Sequence, residues 1–179
     1  MSKIGRKPIR FTTAQVEIKG NQVAISGPMG KESLDFPPCL ELKKSDKTLV
    51  FGAFENTREN RALWGLNRAL LANKILGVEK GFKREMKIEG LGFKAQASGN
   101  KIVFTLGYSH KVDFLLPAGV KVEIDKTGQA LTFTSIDKFL LGNTCDSIRS
   151  LRPPEPYKGT GIMFLNEKIH RKAGKTKSA

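Results

Sequence analysis

The chain says the same thing twice, and this limits its fold more than any other feature. KGNQVAISG (Lys19–Gly27) returns as SGNKIVFTLG (Ser98–Gly107). Each copy puts Gly-Asn at a tight turn and follows it with alternating apolar residues, Val23 and Ile25 in one, Ile102, Phe104 and Leu106 in the other. That is a hairpin signal with a strand of period two. SLDFPP (Ser33–Pro38) then matches KVDFLLP (Lys111–Pro117), LELK (Leu40–Lys43) matches VKVEI (Val120–Ile124), and TLVF (Thr48–Phe51) matches ALTFT (Ala130–Thr134).

Each copy runs into a helical pattern. The first is expected to start at a capping box of Asn56 with Glu59, to present Leu63, Leu66 and Leu70 on one face, and to stop at Gly77. The second spans about Asp137 to Arg149 and is closed by Pro153 and Pro154. An offset of roughly 79 residues is too long for a solenoid and suits a duplicated domain. Strands followed by a helix indicate an α+β fold, a mostly antiparallel sheet with one packed helix per copy. The expected division is residues 1–81 and 82–152, with the boundary around Gly77–Phe82, and 153–179 as a Pro/Gly finger and basic tail.

Charge narrows the partners. Thirty-one Lys and Arg against 17 acidic residues give a net charge of +14, beyond the range of about 2 to 8 that solubility asks of a small domain. Such a chain favours polyanions, nucleic acid first and an acidic membrane surface second. No apolar run approaches the ~18 residues of a membrane span. The four basic groups in the first ten residues precede no apolar h-region, so neither signal peptide nor anchor is read there. Cys39 and Cys145 lie far apart and read as two reduced thiols, and His110 with His170 offers no zinc spacing. No metal or cofactor is expected.

Two stretches suggest a nucleotide-binding enzyme and fail on chemistry. GPMGK (Gly27–Lys31) resembles the end of a P-loop, yet Ile25 stands where the first glycine belongs and Glu32 where a hydroxyl should follow the lysine. GLGFKA (Gly90–Ala95) has the GxGxxA form but is followed by QASGNKIVF, a strand-and-turn sequence rather than the helix whose N-terminus would hold a pyrophosphate. The reading is of turns, not catalysis.

The recognition chemistry lies elsewhere. Tyr108, Ser109, His110 and Lys111 combine an aromatic face, a hydroxyl and a cation on one turn, a mixture used on RNA, though a plain hairpin turn with Tyr108 capping the core edge is the open alternative. Arg149, Arg152, Lys158, Lys168, Arg171, Lys172, Lys175 and Lys177 make the C-terminal segment strongly basic, opposed only by Glu155 and Glu167. Within RPPEPYKGTGIMF (Arg152–Phe164) the prolines stiffen the chain and Gly159 and Gly161 admit close backbone approach, with Tyr157 and Lys158 presented between them. This favours a binding finger over a solvated tail. Lys3, Arg6, Lys7 and Arg10 form a second basic arm, either a further contact or a frayed end.

Taken together, SKIGRKPI, RALWGLNRALLANKILGV, the following GF, KIEGLGFKA, LGYSHKV and above all RPPEPYKGTGI resemble the bacterial large-subunit ribosomal protein six family over essentially the whole chain. The resemblance implies two similar α+β domains and a structural, non-enzymatic role in the large ribosomal subunit. It further implies a cytoplasmic, ribosome-bound protein that contacts large-subunit rRNA near the sarcin–ricin loop. Its other neighbours would be ribosomal proteins and the docking region of translational GTPases. The rRNA contacts it carries over are Tyr108 to Lys111, Tyr157 to Gly161 (Thr160 included) and the lysine tail. Where relatives often have a basic residue this chain has Thr160, and Met163-Phe164 replaces Arg-Tyr, so the finger is expected to act by close fit more than by charge. Lys111, where proline is common, restores some charge. A free-standing RNA-binding regulator and a nucleotide-binding enzyme are the rival readings.

Overall fold

The computed structural model describes residues 3–55 and 57–175. They fall into two units, one reaching Phe82 and including Ile136–Lys138, the other formed by Lys83–Ser135 and the chain from Phe139 onward. Both are α+β with small antiparallel sheets.

The first unit contains β1 (Ile9–Arg10), β2 (Gln15–Lys19), β3 (Gln22–Gly27), β4 (Gly30–Asp35), β5 (Leu40–Ser45), β6 (Thr48–Ala53) and α1 (Arg58–Lys80). Its sheets have the orders β2-β3-β4 and β1-β6-β5. Between β2 and β3 the chain turns through Gly20 at φ +59° and Asn21, the positive φ at the first turn position being one that glycine adopts without strain. Val16, Val23, Ile25, Leu34, Phe36, Leu49 and Phe51 join Trp64, Leu71, Ile75 and Val78 of α1 in one core. Phe36 and Phe51 meet edge to face at 5.5 Å, and the Trp64 indole donates to the Phe51 carbonyl at 2.8 Å.

Three details of α1 depart from the sequence expectation. Its N-cap is Thr57, whose hydroxyl accepts from Asn60 N–H at 3.2 Å, not Asn56, which lies outside the described residues. The buried face carries Trp64, Asn67, Leu71, Ile75 and Val78, while Leu66 and Leu70 are exposed. This helix is apolar on both sides, so periodicity alone could not choose the face that the indole bond and the sheets select. Gly77 does not end it: Gly81 does, at φ +73° with its N–H on the Gly77 carbonyl. Gly77 is instead buried, where a Cβ would collide with the Ile136 carbonyl and the Phe82 ring.

The second unit repeats the plan. β7 (Phe82–Glu89), β8 (Lys94–Ser98), β9 (Lys101–Thr105), β10 (Val112–Leu115), β11 (Val120–Ile124), β12 (Ala130–Ser135) and α2 (Lys138–Leu151) follow in the same order. The β8–β9 turn again uses a glycine, Gly99 at φ +60°, before Asn100. Hydrogen bonds repeat as well: Phe36 N–H to Asn21 O corresponds to Leu116 N–H to Asn100 O, and Leu40 N–H to Pro37 O to Val120 N–H to Pro117 O. The sheets are β10-β9-β8 and β11-β12-β7-β13. Here β13 (Gly161–Phe164) adds an edge strand with no counterpart in the first unit's β1-β6-β5 sheet. The segment expected as finger and tail therefore also supplies a strand, and it buries Ile162 and Met163.

Glu79, near the end of α1, ties down the chain before β2. Its carboxylate accepts from the backbone N–H groups of Thr12, Thr13 and Ala14 at 2.6, 2.8 and 3.2 Å. Burial works to raise its pKa, and these donations together outweigh that and hold it below the ordinary carboxylate value. Because the folded pKa lies below the unfolded one, this stabilisation is present above the unfolded carboxylate pKa and disappears as pH falls through the folded value. Glu79→Ala is expected to lower stability by about 1 kcal/mol at neutral pH, with the deficit shrinking in denaturant titrations near pH 3. An equal deficit at both pH values would contradict this account.

Candidate nucleic-acid interface

Two loops of the second unit hold the residues expected to meet RNA. The first runs from Gly107, at φ +75°, between β9 and β10. Tyr108, Ser109, His110 and Lys111 are all exposed. Tyr108 is also engaged within the protein. Its hydroxyl donates to the Leu151 carbonyl at 3.0 Å, the Arg152 guanidinium lies 5.0 Å from its ring centre, and His110 stacks at 6.1 Å and 20°. Tyr108 thus fastens the loop to the end of α2 and leaves His110 and Lys111 outward.

The second loop is the finger, closed by its own backbone. Glu155 N–H donates to Thr160 O at 2.9 Å and Gly159 N–H to Glu155 O at 3.0 Å. The Thr160 hydroxyl donates to the Glu155 carboxylate at 3.0 Å. Thr160, half-buried, therefore serves the loop's closure. At its base Ile162 N–H donates to Arg152 O at 2.8 Å, and β13 pairs Gly161 with Glu89 and Ile162 with Ile88. Gly161, at φ +143°, has no room for a side chain: a Cβ would lie 2.7 to 2.8 Å from Pro153 O, Arg152 O and Pro154 Cα. Tyr157 and Lys158 stand exposed at the tip, and among the described residues no ion pair involves Lys158.

The basic residues beyond the finger divide by role. Arg149, half-buried on α2, forms a two-pronged bond to Glu167 at 2.5 and 3.1 Å. Glu167 also accepts from Phe164 N–H at 3.2 Å. The Arg149 bond holds the Glu167 carboxyl below its usual range, with burial opposing it and the Phe164 donation assisting. Arg171 reaches Glu89 at 3.4 Å, and its guanidinium occupies the space a side chain at Gly159 would need. Lys172 is tethered through its backbone N–H to Pro156 O at 2.8 Å, with its side chain exposed. Lys168 and Lys175 are exposed, and Lys177 lies outside the described residues. So Arg149 and Arg152 brace the site, while His110, Lys111, Lys158, Lys168, Lys172 and Lys175 are presented. Sequence reasoning counted Glu155 and Glu167 only as opposing charge and missed that they build the loop.

The N-terminal arm belongs to the first unit. Lys3, Arg6, Lys7 and Arg10 are exposed, yet the backbone is pinned: Arg68 donates to Lys7 O and Pro8 O at 3.0 and 3.2 Å, and Gly5 packs beneath the Trp64 ring. Those bonds dock the arm on α1, so it is not a frayed end.

The model of the family described as Ribosomal protein L6 matches residues 89–164, the stretch containing both loops and β13. Over the whole chain the similarity is to large ribosomal subunit protein uL6. The relative from Desulfatibacillum aliphaticivorans is 45% identical over 178 residues, covering 98% of this chain and 99% of its own. That of Anaeromyxobacter dehalogenans (strain 2CP-C) is 41% identical over 180 residues, all of both chains. That of Synechococcus sp. (strain JA-3-3Ab) is 39% identical over 180 residues, 100% of this chain and 99% of its own. The chain belongs to the ribosomal protein L6 family. It is thus a structural ribosomal protein of the large subunit and not an enzyme. The two enzyme-like motifs are turns: GPMGK joins β3 to β4 with Gly27 opposite Gly30, and GLGFKA joins β7 to β8. No helix among the described residues is long and apolar enough to cross a membrane.

Gly161→Ala should cost about 1 to 3 kcal/mol through backbone strain and collision, seen as a lower melting temperature with the finger's amides losing exchange protection. Both cysteines are free, and burial pushes the Cys145 thiol up to about 11 against a smaller opposing pull from Arg84. In the native protein at pH 8 a thiol reagent should therefore modify Cys39 while sparing Cys145; equal rates by mass spectrometry would refute it.

Proposed function

We propose that this protein binds large-subunit rRNA through the two loops of its second unit, near the sarcin–ricin loop and the docking region of translational GTPases, and so supports translation on the ribosome. The observation that carries the reading is the closed finger, which holds Tyr157 and Lys158 outward on a loop ordered before any partner arrives. Such preorganisation lowers the entropy lost on docking. Lys158, Lys111, Lys168, Lys172 and Lys175 would meet phosphates, and Tyr157 and His110 would stack or pack on exposed bases or sugars. The location on the subunit rests on the family resemblance. In this reading residues 1–81 and 82–152 are two copies of one module, 153–179 is the binding segment, and Lys3, Arg6, Lys7 and Arg10 offer a secondary contact.

The relatives' names place them in the large ribosomal subunit, and a net charge of +14 suits an rRNA partner with neighbouring ribosomal proteins beside it. Affinity should be strongly salt-dependent, because neutralising each phosphate releases counterions. Replacing Lys158, Arg171 and Lys172 together by Ala is expected to weaken binding to large-subunit rRNA. The slope of log K against log salt should become shallower by about 2, at roughly 0.7 to 0.9 for each phosphate that is no longer neutralised, since Arg171 is already shared with Glu89. Filter binding at several salt concentrations measures both quantities, and an unchanged slope would overturn the assignment.

A further inference from the structure

The turn between β7 and β8 carries a side chain that the fold leaves entirely bare. Leu91 has a relative exposure of 103%. Single exposed leucines are ordinary on protein surfaces; the unusual part is how this one is held. Gly90, at φ +154°, and Gly92, at φ +75°, flank it, and Phe93 N–H closes the turn on Gly90 O at 3.3 Å. The Phe93 ring lies where side chains at Gly90 and Gly107 would be, 2.6 and 2.9 Å from their Cβ positions. One ring thus packs the Leu91 turn against the base of the Tyr108–Lys111 loop. On the other side Gly161 pairs with Glu89, which sets the root of the finger beside Gly90. Leu91 therefore projects from the ground between the two cationic loops.

The local charge suits an anionic partner. The nearest acid in the strand, Glu89, is neutralised by Lys87 at 2.6 Å and Arg171 at 3.4 Å, and Lys94 follows the turn exposed. A partner that met both the Tyr108–Lys111 loop and the finger would pass the turn that carries Leu91.

We infer that Leu91 is an rRNA-contacting residue, an apolar wedge that packs against a nucleobase or sugar face in the shallow groove or single-stranded loop spanned by the two basic loops. This rests on the rRNA-binding reading above. Apolar side chains wedge against bases in other nucleic-acid complexes, and RNA offers them its minor groove and unstacked bases. The lysines would supply salt-sensitive affinity, and Leu91 a salt-insensitive part together with discrimination by shape.

The test compares wild type, Leu91→Ser, Leu91→Met and Lys158→Ala, all full-length, on a bacterial large-subunit rRNA transcript across a salt series. Melting temperatures and incorporation into reconstituted subunits are measured alongside. Leu91→Ser is expected to melt like wild type and to bind about 5- to 30-fold more weakly at every salt concentration, as removing a leucine side chain largely buried in the complex implies. Its salt slope should be unchanged and Leu91→Met should bind as wild type, whereas Lys158→Ala should flatten the slope. If Leu91→Ser binds within twofold of wild type while Lys158→Ala weakens binding, the wedge is overturned and the rRNA reading stands. A lowered melting temperature would make Leu91 structural and overturn the wedge too. Unchanged rRNA affinity with poor incorporation into subunits would assign the leucine to a protein neighbour, again against the proposal. Binding by wild type that ignores salt would overturn both readings together.

Discussion

The antiparallel pairing of Gly161–Phe164 with Met86–Glu89 is the constraint on which the presenting face depends. It buries Ile162 and Met163, each contributing roughly 1.5 to 3 kcal/mol of transfer free energy before chain entropy is charged against it. The strand fixes one end of the finger while α2 fixes the other, and Ile162 N–H on Arg152 O joins them. A loop held at both roots and closed across its middle has few conformations left. That converts a proline- and glycine-rich sequence into a shaped surface.

Acidic residues do much of the fastening in this basic protein. Glu79 gathers three backbone donors, Glu167 grips Arg149 and the end of β13, Glu155 closes on Thr160, and Glu89 holds Lys87 and Arg171. The ion pairs among these, Arg149–Glu167, Lys87–Glu89 and Arg171–Glu89, are partly exposed and add little stability individually. Their effect is positional, since the arginines used as braces leave the lysines of the finger and tail facing outward. A net charge of +14 states how much positive charge exists, not which part is available to a partner.

The duplicated plan shows where the second copy diverged. The orders β1-β6-β5 and β7-β12-β11 correspond strand for strand, and the turn and loop hydrogen bonds recur. The second unit adds β13 to the free side of β7, covering a sheet edge with the strand that anchors the finger. An addition at an edge leaves the repeated core packing undisturbed.

Much of the α+β architecture was legible in the chain because its signals are local: Gly-Asn turns, period-two strands, and helices after them. GPMGK and GLGFKA were legible as turns for the same reason, each being flanked by strand patterns. The exposure of Tyr157 and Lys158 was legible from residue types, since they stand among prolines and glycines. Other features depend on partners distant in sequence. Which face of α1 is buried depends on Trp64 finding the Phe51 carbonyl, because Leu63, Leu66 and Leu70 satisfy the helical period equally well. That Gly77 is a close-packing point and not a stop depends on Ile136 lying against it. Arg149 became a brace because Glu167 meets it, and Leu91 is left bare because Phe93 turns in beneath Gly107. The repeated hairpins, the two helices and the supply of positive charge follow from neighbouring residues and composition, whereas β13 forms only by pairing with β7, distant in the chain. Which charges and apolar groups are used inside the protein and which are presented was settled by packing, because burial and pairing are made between residues far apart in the chain.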